Sequence, residues 1–358
     1  MDLKTFFEHF DTLAEAPNGI QRLRELILDM ALRGKLVPQD PDDEPAEELL
    51  QRVIKNKKNL LERGQLHQKN PQKKITKDEA PHDLPQGWVW CRFGQIIDCY
   101  RGHNPPKSEF IKKPREGYTR FVQITDFKTD KSAVYVPKSN KLKYVKKGEI
   151  AMAAYRHIGK LSRDVEGAFN VAICKVIEIE PISRDFIEKL IGSAYVKGAL
   201  LAASGRAHIP SMHTKHLLSL VVPLPPLAEQ KRIVAKVDEL MVLCDTLEAA
   251  QQTRNALRQS LRASALDALM NATSDDELAT AWAFVRDNWG TMSDRAEDVE
   301  GLRKVVLEAA VRGRLSKRQE GDEPVHRLLQ VISKQREQLI KDGKLRKSSR
   351  RAKKSTAK

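Results

Sequence analysis

Apolar residues recur at helical spacing near both ends of the chain and gather into β-branched and aromatic clusters between them. Phe6, Phe7, Phe10 and Leu13 predict a short amphipathic helix within residues 1–16, broken by Pro17-Asn18-Gly19. Leu23, Leu26, Ile27, Met30 and Ala31 then step by threes and fours, and Gly34 stands where a C-terminal cap belongs. Asp43-Glu44-Pro45 opens the next helix, its acids serving as a cap and its Pro near the first helical position. Leu49, Leu50, Val53, Leu60 and Leu61 give that helix an apolar face, and Gly64 ends it. Residues 67–83 are polar and Lys-rich, the composition of a linker.

From 84 to 222 the period shortens. The runs WVWCRF, IIDCY, TRFVQIT, AVYVP, GEIAMAAY, FNVAICKVIEIE and LLSLVVPLPP predict strands between Gly and Pro turns, with one helix over 183–203. Pro225-Pro226 ends this domain and starts a helix predicted over 227–271, about 65 Å long at about 1.5 Å per residue. Ile233, Val237, Leu240, Cys244 and Leu247 step by 4, 3, 4 and 3, a heptad seam. The seam weakens at Gln251 and Arg254 and resumes at Leu257, Leu261, Ala265 and Leu269. Ser274 with Glu277 forms a capping box that restarts a helix through Leu278, Trp282, Phe284 and Val285.

Residues 302–345 repeat residues 23–66 without a gap, 17 of 44 positions being identical. The shared residues are punctuation: Arg33-Gly34 and Arg312-Gly313, Asp43-Glu44-Pro45 and Asp322-Glu323-Pro324, Gly64 and Gly343. A spacing of this size is too long for a solenoid, whose period runs about 20–50 residues. One helical-pair cassette therefore flanks the middle of the chain. The predicted class is α+β: a mixed α/β domain at 84–222, flanked by long helices in an antiparallel coiled coil or bundle. The helical regions are 1–66 and 273–345, the spacer helix 223–272, and the basic tail 346–358 is expected to be disordered.

Charge narrows the partner. The 358 residues carry +15, and 341–358 alone hold nine Lys/Arg against one Asp. Such a balance favours a polyanion, nucleic acid before membrane. Cys91, Cys99, Cys174 and Cys244 form no CxxC pair, so reduced thiols and a cytoplasmic location are expected. No apolar run approaches the roughly 18 residues of a membrane span.

The stretch PLPPLAEQKRIVAKVDELMVLCDTLE (223–248) is very similar to the start of the long helix in specificity subunits of type I restriction-modification systems. LRELILDMALRGKLVPQDPDDEPAEELL (23–50), LPQGWVWCRFGQII (84–97) and SLRASALDALMNATSDDELATAW (260–282) resemble that family too. The resemblance implies a non-catalytic subunit whose target-recognition domain reads one half of an interrupted double-stranded DNA site. It implies docking of adenine methyltransferase subunits, which motor-nuclease restriction subunits can join. It places S-adenosylmethionine, ATP and Mg on those partners and no cofactor on this chain. The family pattern has two recognition domains; this chain has one, at 84–222, so it resembles a half-length form able to pair with itself through the long helices. The alternatives are a truncated regulatory fragment, or a DNA methyltransferase in its own right.

Motifs for catalysis or cofactor binding are weak or missing. Asn104-Pro105-Pro106-Lys107 resembles the N-P-P-aromatic motif of amino-methyltransferases, but Lys replaces the ring and no glycine-rich cofactor loop comes after a strand. A rigid Pro turn is the favoured reading. No GxxxxGK[ST] is present, and His213 with His216 lacks a third ligand for zinc. Base reading needs donors and acceptors at loop tips. Candidates are Arg101 and Lys107; Arg120 and Gln123; Tyr155, Arg156, His157 and Lys160; and Arg206, His208 and Lys215. The last two groups fall where the family's recognition domains carry DNA-facing loops. Ile233, Val237, Leu240, Cys244 and Leu247 are the candidates for helix packing and partner docking.

Overall fold

The computed structural model describes residues 3–66, 75–204, 211–294, 296–315, 319 and 321–345. The chain folds as two compact units, 1–251 and 252–358, whose boundary falls inside the long helix.

Unit 1 begins with α1 (Leu3–Glu8), α2 (Phe10–Glu15), α3 (Gly19–Leu32) and α4 (Ala46–Glu62). The one amphipathic helix expected at the start is two, divided at His9. Strand β1 (Val89–Arg92) and the single turn α5 (Phe93–Ile96) lead into β2 (Ile97–Arg101), β3 (Tyr118–Val122), β4 (Val134–Pro137), β5 (Tyr144–Val145), β6 (Ile150–Ala153), β7 (Leu161–Ser162), β8 (Gly167–Phe169) and β9 (Ile173–Glu178). Then come α6 (Arg184–Gly192), α7 (Ala194–Ala203), α8 (Thr214–Ser219), β10 (Val221–Leu224) and α9 (Leu227–Asn271). The expected helix over 183–203 breaks at Ser193, whose hydroxyl accepts from Val196 N and so starts α7 as an N-cap.

Two four-stranded sheets, ordered β2-β9-β6-β7 and β4-β3-β8-β5, make the body of the middle domain, and β1 pairs with β10 where the chain enters and leaves it. Between the sheets, Val122, Val145, Phe169 and Ile173 are fully or almost fully buried. A small second core of Phe121, Val136, Leu142 and Ala168 sits on the other face of β3. The largest core joins α3, α4, α5 and the first half of α9: Leu23, Ile27, Leu49, Val53, Phe93, Ile96, Val237 and Leu240 are all at most 1% exposed.

The punctuation of the first cassette works as the pattern implies, with one exception. Gly34 adopts φ +63°, and Lys35 N donates to Met30 O at 2.9 Å, the crossed bond of a Schellman cap. Gly64 repeats the motif at φ +68°. The acids before α4 do not cap it, because Pro45 itself is the N-cap residue and no side chain bonds the first turn. Asp43 instead pairs with Arg232 at 2.5 Å, and Glu44 pairs with Arg52.

Unit 2 holds the end of α9, then α10 (Asp275–Met292), α11 (Val299–Val311) and α12 (Val325–Lys341). The Ser274 hydroxyl accepts from Glu277 N at 3.2 Å, and the Glu277 carboxylate accepts in return from Ser274 N at 3.3 Å, completing the predicted box, and from Thr273 N at 2.7 Å. Ala265, Leu269, Val285, Met292 and Val305 form its core. The second cassette repeats the helix ends of the first: Gly313 and Gly343 at φ +70° and +71°, with Pro324 as N-cap of α12.

Candidate nucleic-acid interface

The sheet topology delivers several candidate side chains to one edge. At the end of β2, Gly102 N donates to Ile173 O at 3.3 Å and His103 N to Phe169 O at 3.1 Å. The approach is so close that a Cβ on Gly102 would overlap Phe169 O, so only glycine fits. The Asn104 side-chain oxygen accepts from Val171 N at 3.1 Å, which fixes the Asn-Pro-Pro segment as a turn support. At the end of β3, Val122 O accepts from Asn170 N. At the end of β6, Ala154 N donates to Ala172 O at 2.8 Å. Three strand ends thus converge on the turn Asn170–Ala172, and Arg101, Gln123 and Tyr155 lie beside it.

The loop after β6 is built as a projecting tip. Its base is closed by Ala153 N to Lys160 O at 2.8 Å and Gly159 N to Ala153 O at 3.1 Å. Its flank is held by Met212 N to Ala154 O at 2.9 Å and by a bridge between Tyr155 and Ser211. At the tip, Arg156 and His157 are exposed, and Arg156 has φ +61°. A non-glycine residue in the left-handed region costs about 1–2 kcal/mol, and such strain gathers where a side chain must be aimed. Lys215 is exposed in the first turn of α8.

Other candidates fall elsewhere. Arg120 lies in β3 with its guanidinium 2.8 Å from Asp130 and 3.8 Å from the buried Asp126, so it braces the loop after β3. Burial raises the Asp126 carboxyl, even though Gln123 N donates to it at 2.8 Å. Lys107 is exposed in a short turn beyond the Asn-Pro-Pro segment. Arg206 and His208 lie outside the described residues. Ile233, Val237, Leu240 and Cys244 are at most 1% exposed, and Leu247 packs half-buried against the same core. Their apolar surface is covered within unit 1, which fits the helix packing expected of them. Among the described residues no cluster of His, Cys, Asp or Glu could hold a metal ion. His213 and His216 stack edge to face with centroids 5.6 Å apart.

The pattern missed the turn at Asn170–Ala172. FNVAICKVIEIE reads as one strand, but β8 ends at Phe169 and β9 begins at Ile173. Asn170 was the available signal: its side-chain oxygen accepts from Ala172 N at 3.1 Å, the local bond by which Asn makes turns.

Unit 1 thus joins a helical core to a two-sheet domain whose candidate donors gather at one strand-end edge. Residues 85–258 match the family model of the type I restriction modification DNA specificity domain, and this segment of the chain belongs to that family. The chain is 32% identical over 349 residues to the type I restriction enzyme EcoEI specificity subunit of Escherichia coli, covering 92% of this chain and 57% of that one. The EcoAI specificity subunit of the same species is 30% identical, over 92% of this chain and 58% of its own length. The chain thus spans little more than half the length of these relatives. A solved HsdS subunit from Thermoanaerobacter tengcongensis is 19% identical, covering 69% of this chain and 52% of that one at a TM-score of 0.39.

Proposed function

We propose that this chain is the non-catalytic DNA-reading component of a type I restriction-modification complex. Its middle domain binds one half of a bipartite double-stranded target. The observation that carries this reading is the convergence of three strand ends on one turn, with the strained Arg156 projecting beside it. Arg101, Gln123, Tyr155, Arg156 and His157 are the proposed base readers; Lys160 and Lys215 stand behind them as phosphate contacts. Adenine methylation, with S-adenosylmethionine, belongs to docked methyltransferase subunits, and ATP and Mg to any restriction subunit that joins.

Partner docking is assigned to apolar surface that the chain leaves open. Val242 and Leu243 on α9 are 64% and 40% exposed, and Leu328, Leu329 and Ile332 on α12 are 48–57% exposed. Two chains pairing their long helices antiparallel would present identical readers, and symmetric protein implies an inverted-repeat target. Methylation mapping with this chain as the sole specificity component tests the reading. An interrupted inverted repeat is expected, with one half-site position relaxed by Arg156→Ala at a cost of about 1–3 kcal/mol. No methylation, or methylation without a sequence motif, overturns it.

A further inference from the structure

The face of the second sheet that turns away from the first is covered by two separate segments, 107–116 and 138–143. Phe110 lies edge to face on Phe121 at 5.2 Å, and Leu142 is buried with Phe121, Val136 and Ala168. Ile111 pairs with Tyr135 along the edge of β4, and Lys138 N donates to Gly117 O at 2.9 Å. A small apolar core therefore draws the two segments together, and their charged side chains are exposed, except that Lys143 is half-buried and turns toward Tyr100. Those side chains are Lys107, Lys112, Lys113, Arg115, Lys138, Lys141 and Lys143, against only Glu109 and Glu116, a local charge of +5 in 16 residues.

None of these seven cations takes part in an ion pair among the described residues. Several arginines elsewhere in unit 1 do have such partners: Arg24, Arg92, Arg163, Arg184 and Arg232 each hold a carboxylate. Arg115 and Lys143 have aromatic partners instead, each 5.8 Å from the ring centroid of Tyr118 and Tyr100 respectively. Gathering like charges without counter-charges costs free energy unless a polyanion supplies them. Ser139 and Asn140 add neutral donors to the same surface. The face is also continuous with the reading edge, because Lys143 O accepts from Phe169 N at 3.1 Å while Phe169 O accepts from His103 N.

Resting on the DNA-reading function above, we infer that this lysine face is a second, sequence-independent binding surface that holds the phosphate backbone flanking the bases read at the strand-end edge. It supplies affinity and orientation; the edge supplies discrimination. The two roles separate in a salt titration. Each phosphate contact contributes about 0.9 to the slope of log K against log salt.

The experiment compares the full chain with Lys112→Glu/Lys113→Glu and Lys138→Glu/Lys141→Glu. A control, Lys55→Glu/Lys58→Glu on exposed positions of α4, carries the same charge change. Thermal melts confirm that each variant is folded. Fluorescence anisotropy measures binding to a random duplex and to a duplex selected from a randomised pool by the unaltered chain. Each lysine-face variant should lower the salt slope by about two and weaken both duplexes equally, by on the order of tenfold or more. The control should change neither by more than a small fraction of that. An unchanged slope, an equal effect of the control, or a loss confined to the selected duplex overturns the inference. Binding by the unaltered chain without preference for any sequence defeats the reading function and leaves the phosphate face standing; failure to bind any duplex defeats both.

Discussion

The two cassettes have the same sequence plan and matching helix ends, and opposite surroundings. In the first, Leu49, Leu50 and Val53 of α4 are 0%, 5% and 0% exposed; at the matching positions of α12, Leu328, Leu329 and Ile332 are 57%, 57% and 48% exposed. The difference lies in the tertiary cover each cassette receives. Behind the first, the lead-in to the middle domain folds back: Ala46 N donates to Gly87 O at 2.8 Å, Pro85 and Trp88 sit over Gly34, and Phe93 and Ile96 fill the groove beside α4. Lys57 reaches from α4 to two carbonyls at the end of α5, bonding Gly94 O and, at 2.7 Å, Ile97 O. Burial pushes its ammonium below the usual lysine value. Helix formation in both cassettes is thus set locally by caps and apolar spacing, whereas the stability of the first rests on its packing against the rest of unit 1.

That contrast can be broken by paired substitutions, read by denaturant unfolding. The largest difference is expected for Leu49→Ala, which empties a fully buried site and should cost about 2–5 kcal/mol. Its counterpart Leu328→Ala should stay within about 0.5 kcal/mol. Equal effects would mean that α12 is covered in solution by something the chain supplies.

Glycine substitution comes next. Gly34 and Gly313 both have positive φ, so Ala at either position should cost about 1–2 kcal/mol in backbone strain. At Gly34 the new Cβ would also overlap Pro85 Cγ, while at Gly313 nothing lies within 4 Å. Gly34→Ala should therefore cost a further 1–3 kcal/mol or so from overpacking. Similar losses at the two sites would contradict the packing of the lead-in on the first cassette.

Lys57→Met orphans two carbonyls and should cost about 1–3 kcal/mol; Arg336→Met, at the matching exposed position, about 0.5 kcal/mol or less.

The smallest effect is a pH dependence. The buried Glu229 carboxyl accepts from Trp88 Nε1 at 2.8 Å and from Gln39 Nε2 at 3.2 Å, and burial raises it above the usual carboxylate value. The folded chain holds this proton to higher pH than the unfolded chain does. Its contribution is therefore most favourable below the unfolded value and is lost as pH rises through the folded one. Glu229→Gln should gain melting temperature relative to the unaltered chain as pH climbs from about 4 to 8. A gap that stays constant, or narrows, would show that the ionised carboxylate is well solvated.

Much of this was legible in the sequence, and the misses have physical causes. The seven β-branched and aromatic runs each hold strand residues, and the long helix occupies 227–271 as its unbroken pattern predicts. Residues such as Ser274 and Gly34 act through bonds a few residues away, which spacing records. The burial of Val237 and Leu240 fits the helix packing that their heptad seam predicts, but the elements that cover them were not legible, because a seam shows that a face is apolar and not what lies on it. The ion pair of Arg120 was not legible for a related reason. Its partner Asp130 stands ten residues on, and only the hairpin geometry brings them to 2.8 Å. The lysine face likewise comes from two segments more than twenty residues apart, joined only by sheet packing.

The central claim is that the strand-end edge reads bases, and the most direct measurement is selection of bound duplexes from a randomised pool by the full chain and by Arg156→Ala. One enriched half-site motif is expected for the unaltered chain, and the same motif with a single position relaxed for the variant. A pool that stays random, or a motif that Arg156→Ala leaves untouched at every position, would contradict it.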